Sequence, residues 1–257
     1  MFSCIFDSHC HYDDHAFDED RDQVLDRLFS GGVGYLMHAS TDEASARYGI
    51  EAAGKYPDYY TSIGFHPENC DDVPDNFIEV LEALLPLSGK IKAVGEIGLD
   101  YHYEGYDRER QIRIFEEQVR FANEHSLPVI IHSRNATEDT LEILQRIRPK
   151  GVMHCFSGSA EVAEQVVKLG LYIGFTGVIT FKNSKKAKKA CLAAGLDRLL
   201  IETDCPYMAP EPFRGQRSDS LMLDKTAAAI AELYGADTQA VIDKTNENAR
   251  ILFGIGG

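Results

Sequence analysis

Positive charge is scarce in this chain. Its 26 Lys and Arg face 41 Asp and Glu, a formal net charge of −15 over 257 residues. So acidic a surface argues against a general nucleic-acid coat or a protein held on anionic membranes. It leaves room for an enzyme whose metal ions and a local basic patch supply the positive field. Long apolar runs are missing too. None reaches the ~18 residues of a membrane span, and no membrane partner is expected. The start, Met-Phe-Ser-Cys-Ile-Phe-Asp, has neither the basic nor the apolar region of a signal peptide. The six cysteines (Cys4, Cys10, Cys70, Cys155, Cys191 and Cys205) form no CxxC pair, so reduced thiols and a cytoplasmic location are expected. No Pro/Gly/Ser-rich linker divides the chain. There is no RRM, helix-turn-helix or zinc-finger pattern and no basic–aromatic stripe. Hydrophobic residues make up 44% and charged residues 26%, which excludes disorder, a collagen-like fibre and a small disulfide scaffold. At this length a two-domain protein and one large α/β barrel are both open.

What is present is an alternation of short apolar runs with charged, helix-like stretches. The expected strands are Cys4–Phe6, Val33–His38, Tyr60–Ile63, Ala93–Ile97, Val129–His132, Val152–His154, Tyr172–Phe175 and Leu199–Thr203. Most are β-branched or aromatic and bounded by Gly, Pro or Asp, as buried parallel strands are. In Glu109–His125 the residues Ile112, Phe115, Val119 and Ala122 mark one helical face. Thr41-Asp42 is a cap for a helix running to Lys55, and Asn183-Ser184 a cap for Lys185–Ala194, which Gly195 stops. Two further helices are expected over Asp224–Tyr234 and Thr238–Phe253. Eight strands alternating with helices fit a single-domain TIM-like (β/α)8 barrel over residues 1–257. A doubly wound open sheet is the alternative, because periodicity does not show closure.

Metal-ligand residue types stand at the ends of these strands. His9 and His11 leave the first, His66 follows the third, and Glu96 ends the fourth. His132 ends the fifth, His154 the sixth and Asp204 the eighth. In a parallel barrel these ends meet at the rim where barrel enzymes place their active sites. Residues two apart on an extended strand point to one face, so His9 and His11 can reach one ion. The donor set suits Zn, Mn or Mg. Glu96 can bridge two such ions, which would clamp the attacking and leaving oxygens of a displacement. Asp204, able to hold an ion and accept a proton, is the general base. An HxH pair alone is a weak motif, and His15, His38, His102 and His125 are read as surface or core residues. Cys10, Cys155 and Cys205 each neighbour a ligand, but alternation turns them away, so they are read as packing residues.

Taken together, Asp7-Ser8-His9-Cys10-His11, Gly64-Phe65-His66-Pro67, Gly95-Glu96-Ile97-Gly98-Leu99-Asp100, His132-Ser133-Arg134, His154-Cys155-Phe156-Ser157-Gly158, Glu202-Thr203-Asp204 and Arg214-Gly215-Gln216-Arg217 resemble the TatD-related metal-dependent deoxyribonucleases of the amidohydrolase superfamily. The resemblance runs from Phe6 to Phe253. It implies a TIM-like barrel with two divalent ions, one held by His9, His11, Glu96 and Asp204, the other by Glu96, His132 and His154. It also implies phosphodiester hydrolysis in DNA, often from a 3′ end. The expected partner is then single-stranded DNA or a 3′ end, acted on by a monomer. Catalysis is expected from Asp204 and Glu96, and substrate binding from His66, Arg134, Arg214 and Arg217.

The chain departs from this family's pattern at Tyr12, where leucine is usual, and at Ser218-Asp219-Ser220, where Asn-Glu-Pro is usual. The second departure puts the substrate contacts of that loop in question. Arg134, two residues beyond His132, has the planar fork that suits a phosphate. Lys182 is a phosphate candidate, whereas Lys185, Lys186, Lys188 and Lys189 read as a solvated helix face. Two other readings stand beside the nuclease: an amidohydrolase-type esterase or lactonase acting on a small molecule, and a non-catalytic metal-dependent binding protein. Many amidohydrolases bridge their ions with a carboxylated lysine after the fourth strand. Glu96 at that place favours the nuclease, and the full ligand set disfavours an inactive protein.

Overall fold

The structure, a computed structural model, describes residues 2–256. Its eight strands are β1 (Ile5–Cys10), β2 (Val33–His38), β3 (Tyr59–Ile63), β4 (Ile91–Asp100), β5 (Val129–Arg134), β6 (Gly151–Met153), β7 (Tyr172–Phe175) and β8 (Leu199–Ile201). They form one sheet in the order β1 to β8. The outermost strands also meet, through a parallel bridge from Cys10 to Cys205. A doubly wound sheet reverses its strand order at a switch point; this sheet runs in sequence and returns on itself, the (β/α)8 arrangement expected. The helices are α1 (Arg21–Ser30), α2 (Glu43–Lys55), α3 (Phe77–Leu84), α4 (Arg108–Glu124), α5 (Thr137–Ile147), α6 (Ala160–Lys168), α7 (Lys185–Ala194), α8 (Leu223–Tyr234) and α9 (Thr238–Phe253).

The chain divides into two compact units. One runs up to His38 and adds Cys155–Lys168 and everything from Tyr172 on; the other is Ala39–His154 with Leu169–Leu171. In the first unit, Phe6 stacks on Tyr35 of β2 at 5.3 Å and meets Phe253 of α9 at 6.0 Å. Helix α9 starts where Asp237 accepts from the Gln239 and Ala240 N–H groups, a cap worth ~1 kcal/mol. It holds β8 through Asn248, whose amide donates to the Leu196 and Leu199 carbonyls, each at 2.9 Å. Helix α7 has the bounds its composition predicts, but Ser184 caps nothing: its hydroxyl donates to the Ile179 and Phe181 carbonyls instead.

In the second unit, β4 and β5 align Gly98 with His132 and Asp100 with Arg134. A Cβ on Gly98 would overlap the His132 carbonyl, and its φ of +151° is one that L side chains rarely adopt. Glycine there lets the two ligand-bearing strands approach. Asp42 caps α2 as expected, accepting from the Ser45 N–H at 2.8 Å. Helix α4 differs from its expected face: Ile112 is half-buried, and Gln111 and Gln118 are buried instead. Each glutamine does what an apolar residue cannot. Gln118 bonds both the N–H and the carbonyl of Phe65, and Gln111 both those of Asp100. They satisfy backbone groups that would otherwise be buried without partners, at a cost of about 1–3 kcal/mol each.

Candidate metal centre

The first unit carries three ligands. β1 is buried at every position, so its polar Asp7, Ser8 and His9 are tolerated only because each has polar company. The backbone extends the strand pairing past β8: the Asp204 N–H donates to the His9 carbonyl and the His11 N–H to the Cys205 carbonyl, both at 3.0 Å. Asp204 has a φ of +58°, which costs a non-glycine residue roughly 1–2 kcal/mol and is held by those flanking bonds. The result is a tight cluster. His9 Nε2 lies 3.0 Å from His11 Nε2, and Asp204 Oδ1 lies 3.6 Å from the first and 3.4 Å from the second. Ligands bound at ~2.0–2.1 Å and separated by 90–109° stand about 2.9–3.4 Å apart. Two of the three separations fall in that range and the His9–Asp204 one is slightly longer, so the group is close to the spacing one divalent ion needs.

The second unit carries the other group. Glu96 Oε1 lies 2.6 Å from His154 Nε2, 3.0 Å from His132 Nδ1 and 3.2 Å from His66 Nε2, and His132 Nδ1 is 3.2 Å from His154 Nε2. The hydrogen bonds at the far side of each ring sort these histidines. His132 Nε2 is 2.9 Å from Asp100 Oδ2; it donates there, so once the ring sheds its other proton the Nδ1 lone pair is the one on the Glu96 side. His66 Nδ1 accepts the Glu68 N–H at 3.2 Å. In the neutral ring the proton then sits on Nε2 and points at Glu96, so His66 offers no lone pair to an ion. His132, His154 and Glu96 form the ligand group, and His66 is a hydrogen-bond donor at its edge.

Two buried carboxylates that the spacing arguments passed over support these clusters. Burial works against ionisation of Asp100, but hydrogen bonds from His132 and the His102 N–H, with Arg134 nearby, hold it below the ordinary carboxylate range. Burial likewise opposes charge on His132, yet Asp100 and Glu96 outweigh it and raise its pKa to about 9 in the metal-free protein. Glu202 accepts from the Ser8 hydroxyl at 3.2 Å and from the Cys155 N–H. A Cβ on Gly174 of β7 would overlap its carboxylate, which accounts for glycine there. In the sequence, both acids stand only as members of the Gly95–Asp100 and Glu202–Asp204 motifs, with nothing to mark them as supports.

The other expected site residues fall in three places. Arg134 has Nη1 3.6 Å from Glu68 and 3.9 Å from Asp100, beside the Glu96 cluster. Arg214 lies over the Phe181 ring at 4.6 Å and lines a cleft of ≈ 360 Å³ with Lys182 and Glu211. Arg217 is engaged elsewhere: its guanidinium forks onto both Asp20 oxygens at 2.7 and 2.6 Å and donates to the Ala16 carbonyl. Cys10 and Cys205 are buried, and burial, then nearby charges, push both thiols far above their ordinary pKa. Neither they nor Cys155 join a ligand group among the described residues.

The family model for TatD related DNase matches residues 6–254. The chain belongs to that family. It is 37% identical to the metal-dependent hydrolase YabD of Bacillus subtilis strain 168, covering 98% of this chain and 99% of that one. It is 32% identical to the protein of Erwinia tasmaniensis named 3′-5′ ssDNA/RNA exonuclease TatD, over 93% of this chain and 95% of the other. A crystal structure of YjjV, a TatD homologue from Escherichia coli K12, superposes with a TM-score of 0.92 at 32% identity, with 98% of each chain covered. This TatD-family chain is a metal-dependent hydrolase, and its His, Glu and Asp groups are a donor set that fits divalent ions. Among the described residues no helix is long and apolar enough to cross a membrane.

Proposed function

We propose that the protein is a phosphodiesterase that removes nucleotides from the 3′ end of single-stranded DNA, using divalent ions that its two ligand groups would hold. The observation that carries this reading is the pair of ligand groups, His9–His11–Asp204 and Glu96–His132–His154. The likeness to a relative named as a 3′-5′ ssDNA/RNA exonuclease supports the substrate. When bound, the ions supply Lewis acidity at the phosphate and a lowered water pKa. The remaining work falls to side chains. Asp204 takes the proton of the water that attacks phosphorus. The P–O bond to the departing 3′ oxygen breaks, and that oxygen takes up a proton. His66, with Nε2–H at the edge of the Glu96 group, and Arg134, with its planar fork, orient the phosphate.

The amidohydrolase-type esterase or lactonase is the second reading. One observation favours it: Arg217, a phosphate contact in the first reading, is paired with Asp20. One assay decides. Metal-loaded protein is incubated with end-labelled single-stranded DNA, with and without chelator. Mononucleotide release that the chelator abolishes supports the first reading. Intact DNA with turnover of a small ester or lactone overturns it in favour of the second.

A further inference from the structure

We propose that the loop between β4 and α4, Tyr101 to Tyr106, is a base-stacking platform that grips the unpaired bases of single-stranded nucleic acid next to the reacting phosphate. This rests on the phosphodiesterase reading and names the part of the substrate that this loop recognises.

Four observations converge on the loop. Tyr103 and Tyr106 are among the few large hydrophobic side chains left in water, at 57% and 42% exposure. Tyr106 lies flat against Tyr101, with centroids 4.6 Å apart and planes within 10°. One of its faces is therefore backed, and its exposed area is the other face and the edges. Tyr101 is itself fixed: its hydroxyl donates to Asp139 Oδ2 at 2.7 Å, and Arg108 forks onto the same carboxylate at 2.8 and 2.7 Å. Finally, the Arg134 guanidinium sits 5.3 Å from the Tyr103 centroid, so a cation stands against the second ring.

A solvated ring braced from behind has already lost the freedom that binding would cost it. A nucleobase laid on Tyr106 continues the stack that Tyr101 begins. Every base has a π-face, so such a surface holds any sequence, and a neighbouring Arg tracks the backbone. Duplex DNA keeps its bases stacked on one another, so the loop selects unpaired ends. The position suits the chemistry. The loop starts directly after Asp100, which bonds His132 at 2.9 Å and lies 3.9 Å from Arg134. Gly105, with a φ of +88° and open space around it, provides the turn. The sequence has no contiguous basic–aromatic stripe; folding assembles one from Tyr103, Tyr106 and Arg134.

The test is equilibrium binding, by fluorescence anisotropy on the metal-loaded protein, of two labelled eight-nucleotide strands with hydrolysis-resistant phosphorothioate linkages. One carries thymine throughout and the other is abasic. Unaltered protein is expected to bind the thymine strand about tenfold or more tightly than the abasic one, the scale of one stacked base. Tyr106→Ala should erase much of that difference, and Tyr103→Ala, which also takes away the ring beside Arg134, should lessen it as well. Tyr106→Phe, which keeps the ring, should retain it. Equal affinity for both strands, binding of neither, or alanine variants that discriminate as well as unaltered protein would overturn the platform. Cleavage of ordinary end-labelled DNA, run alongside, separates the two claims. Cleavage with base-blind binding removes the platform and keeps the phosphodiesterase. Base-dependent binding without cleavage does the reverse.

Discussion

The Tyr12 hydroxyl lies 2.7 Å from Ser220 Oγ, across 208 positions of sequence. These are two of the positions at which the chain departs from its family's usual pattern, and they complement each other. The Ser220 hydroxyl donates to Asp7 Oδ2 at 2.6 Å, so Tyr12 donates to Ser220, while the Ser220 N–H donates back to the tyrosine oxygen at 3.0 Å. Leucine has no hydroxyl and proline no N–H, so the usual pair makes neither bond. The chain ends on Asp7, two residues before His9. Burial pushes Asp7 up to about 6, against the pull of its Ser220 and Thr203 hydrogen bonds.

Removing the tyrosine hydroxyl strands a buried N–H and weakens the support of Asp7. Tyr12→Phe should destabilise the protein by about 1–3 kcal/mol. Tyr12→Leu and Ser220→Pro should be strongly non-additive, with a coupling of about 0.5–3 kcal/mol. Denaturant midpoints for the single and double variants would measure both, and purely additive losses would separate the two positions.

The ring-nitrogen assignment makes His66 dispensable for metal binding. His66→Ala should keep the full metal content while lowering activity. His154→Ala should lose metal, because its Nε2 is one of the three atoms grouped at Glu96. Elemental analysis of both purified variants distinguishes the roles, and metal loss in His66→Ala would make it a ligand.

Acid should compete with metal at the second group. The pKa of His132 lies at about 9 in the metal-free protein, so its ring is protonated at neutral pH and must shed that proton to bind an ion. Metal binding at pH 7.5 should release about one proton from this ring, and affinity should rise with pH until His132 is neutral. Calorimetry in buffers of different ionisation enthalpy counts the protons. A count that does not fall between pH 7.5 and 10 would remove His132 from the exchange.

Asp204→Asn keeps the shape and one oxygen donor but accepts no proton. The rate should fall by ~10²–10⁴-fold, with the Glu96 group still loaded. Metal content and rate belong on the same sample. A near-normal rate with both ions bound would refute the base, and loss of both ions would make Asp204 chiefly structural.

Much of the fold was legible because buried strands are written in β-branched and aromatic residues: β2 and β7 have their expected bounds. The misjudged strands are instructive. β1 was expected to stop at Phe6 and β4 at Ile97, yet they run to Cys10 and Asp100. Their last turns of chain carry Asp7, Ser8, His9 and Asp100, buried polar residues that composition reads as loop. The ligands themselves were legible because each lies in or just after the C-terminal half of a strand that composition reveals, although Glu96 and His132 stand inside β4 and β5 and Asp204 stands beyond β8. Asp100, Glu202 and the two glutamines of α4 were not, because a buried polar partner looks like any surface residue until the partner is placed beside it. The ring pair Tyr101–Tyr106 has the same character: its spacing says nothing of how the rings lie, and only the loop's closure brings them face to face.

The two ligand groups also differ in how the chain delivers them. Glu96, His132 and His154 all belong to the unit that runs through Ala39–His154, whereas His9 and His11 belong with Asp204 in the unit built from both ends of the sequence. On the ribosome, the second group has all its donors once His154 has been made. His9 and His11 are synthesised first of all and still wait for Asp204. The last donor of the Glu96 group, His154, is therefore made well before the last donor of the other, Asp204.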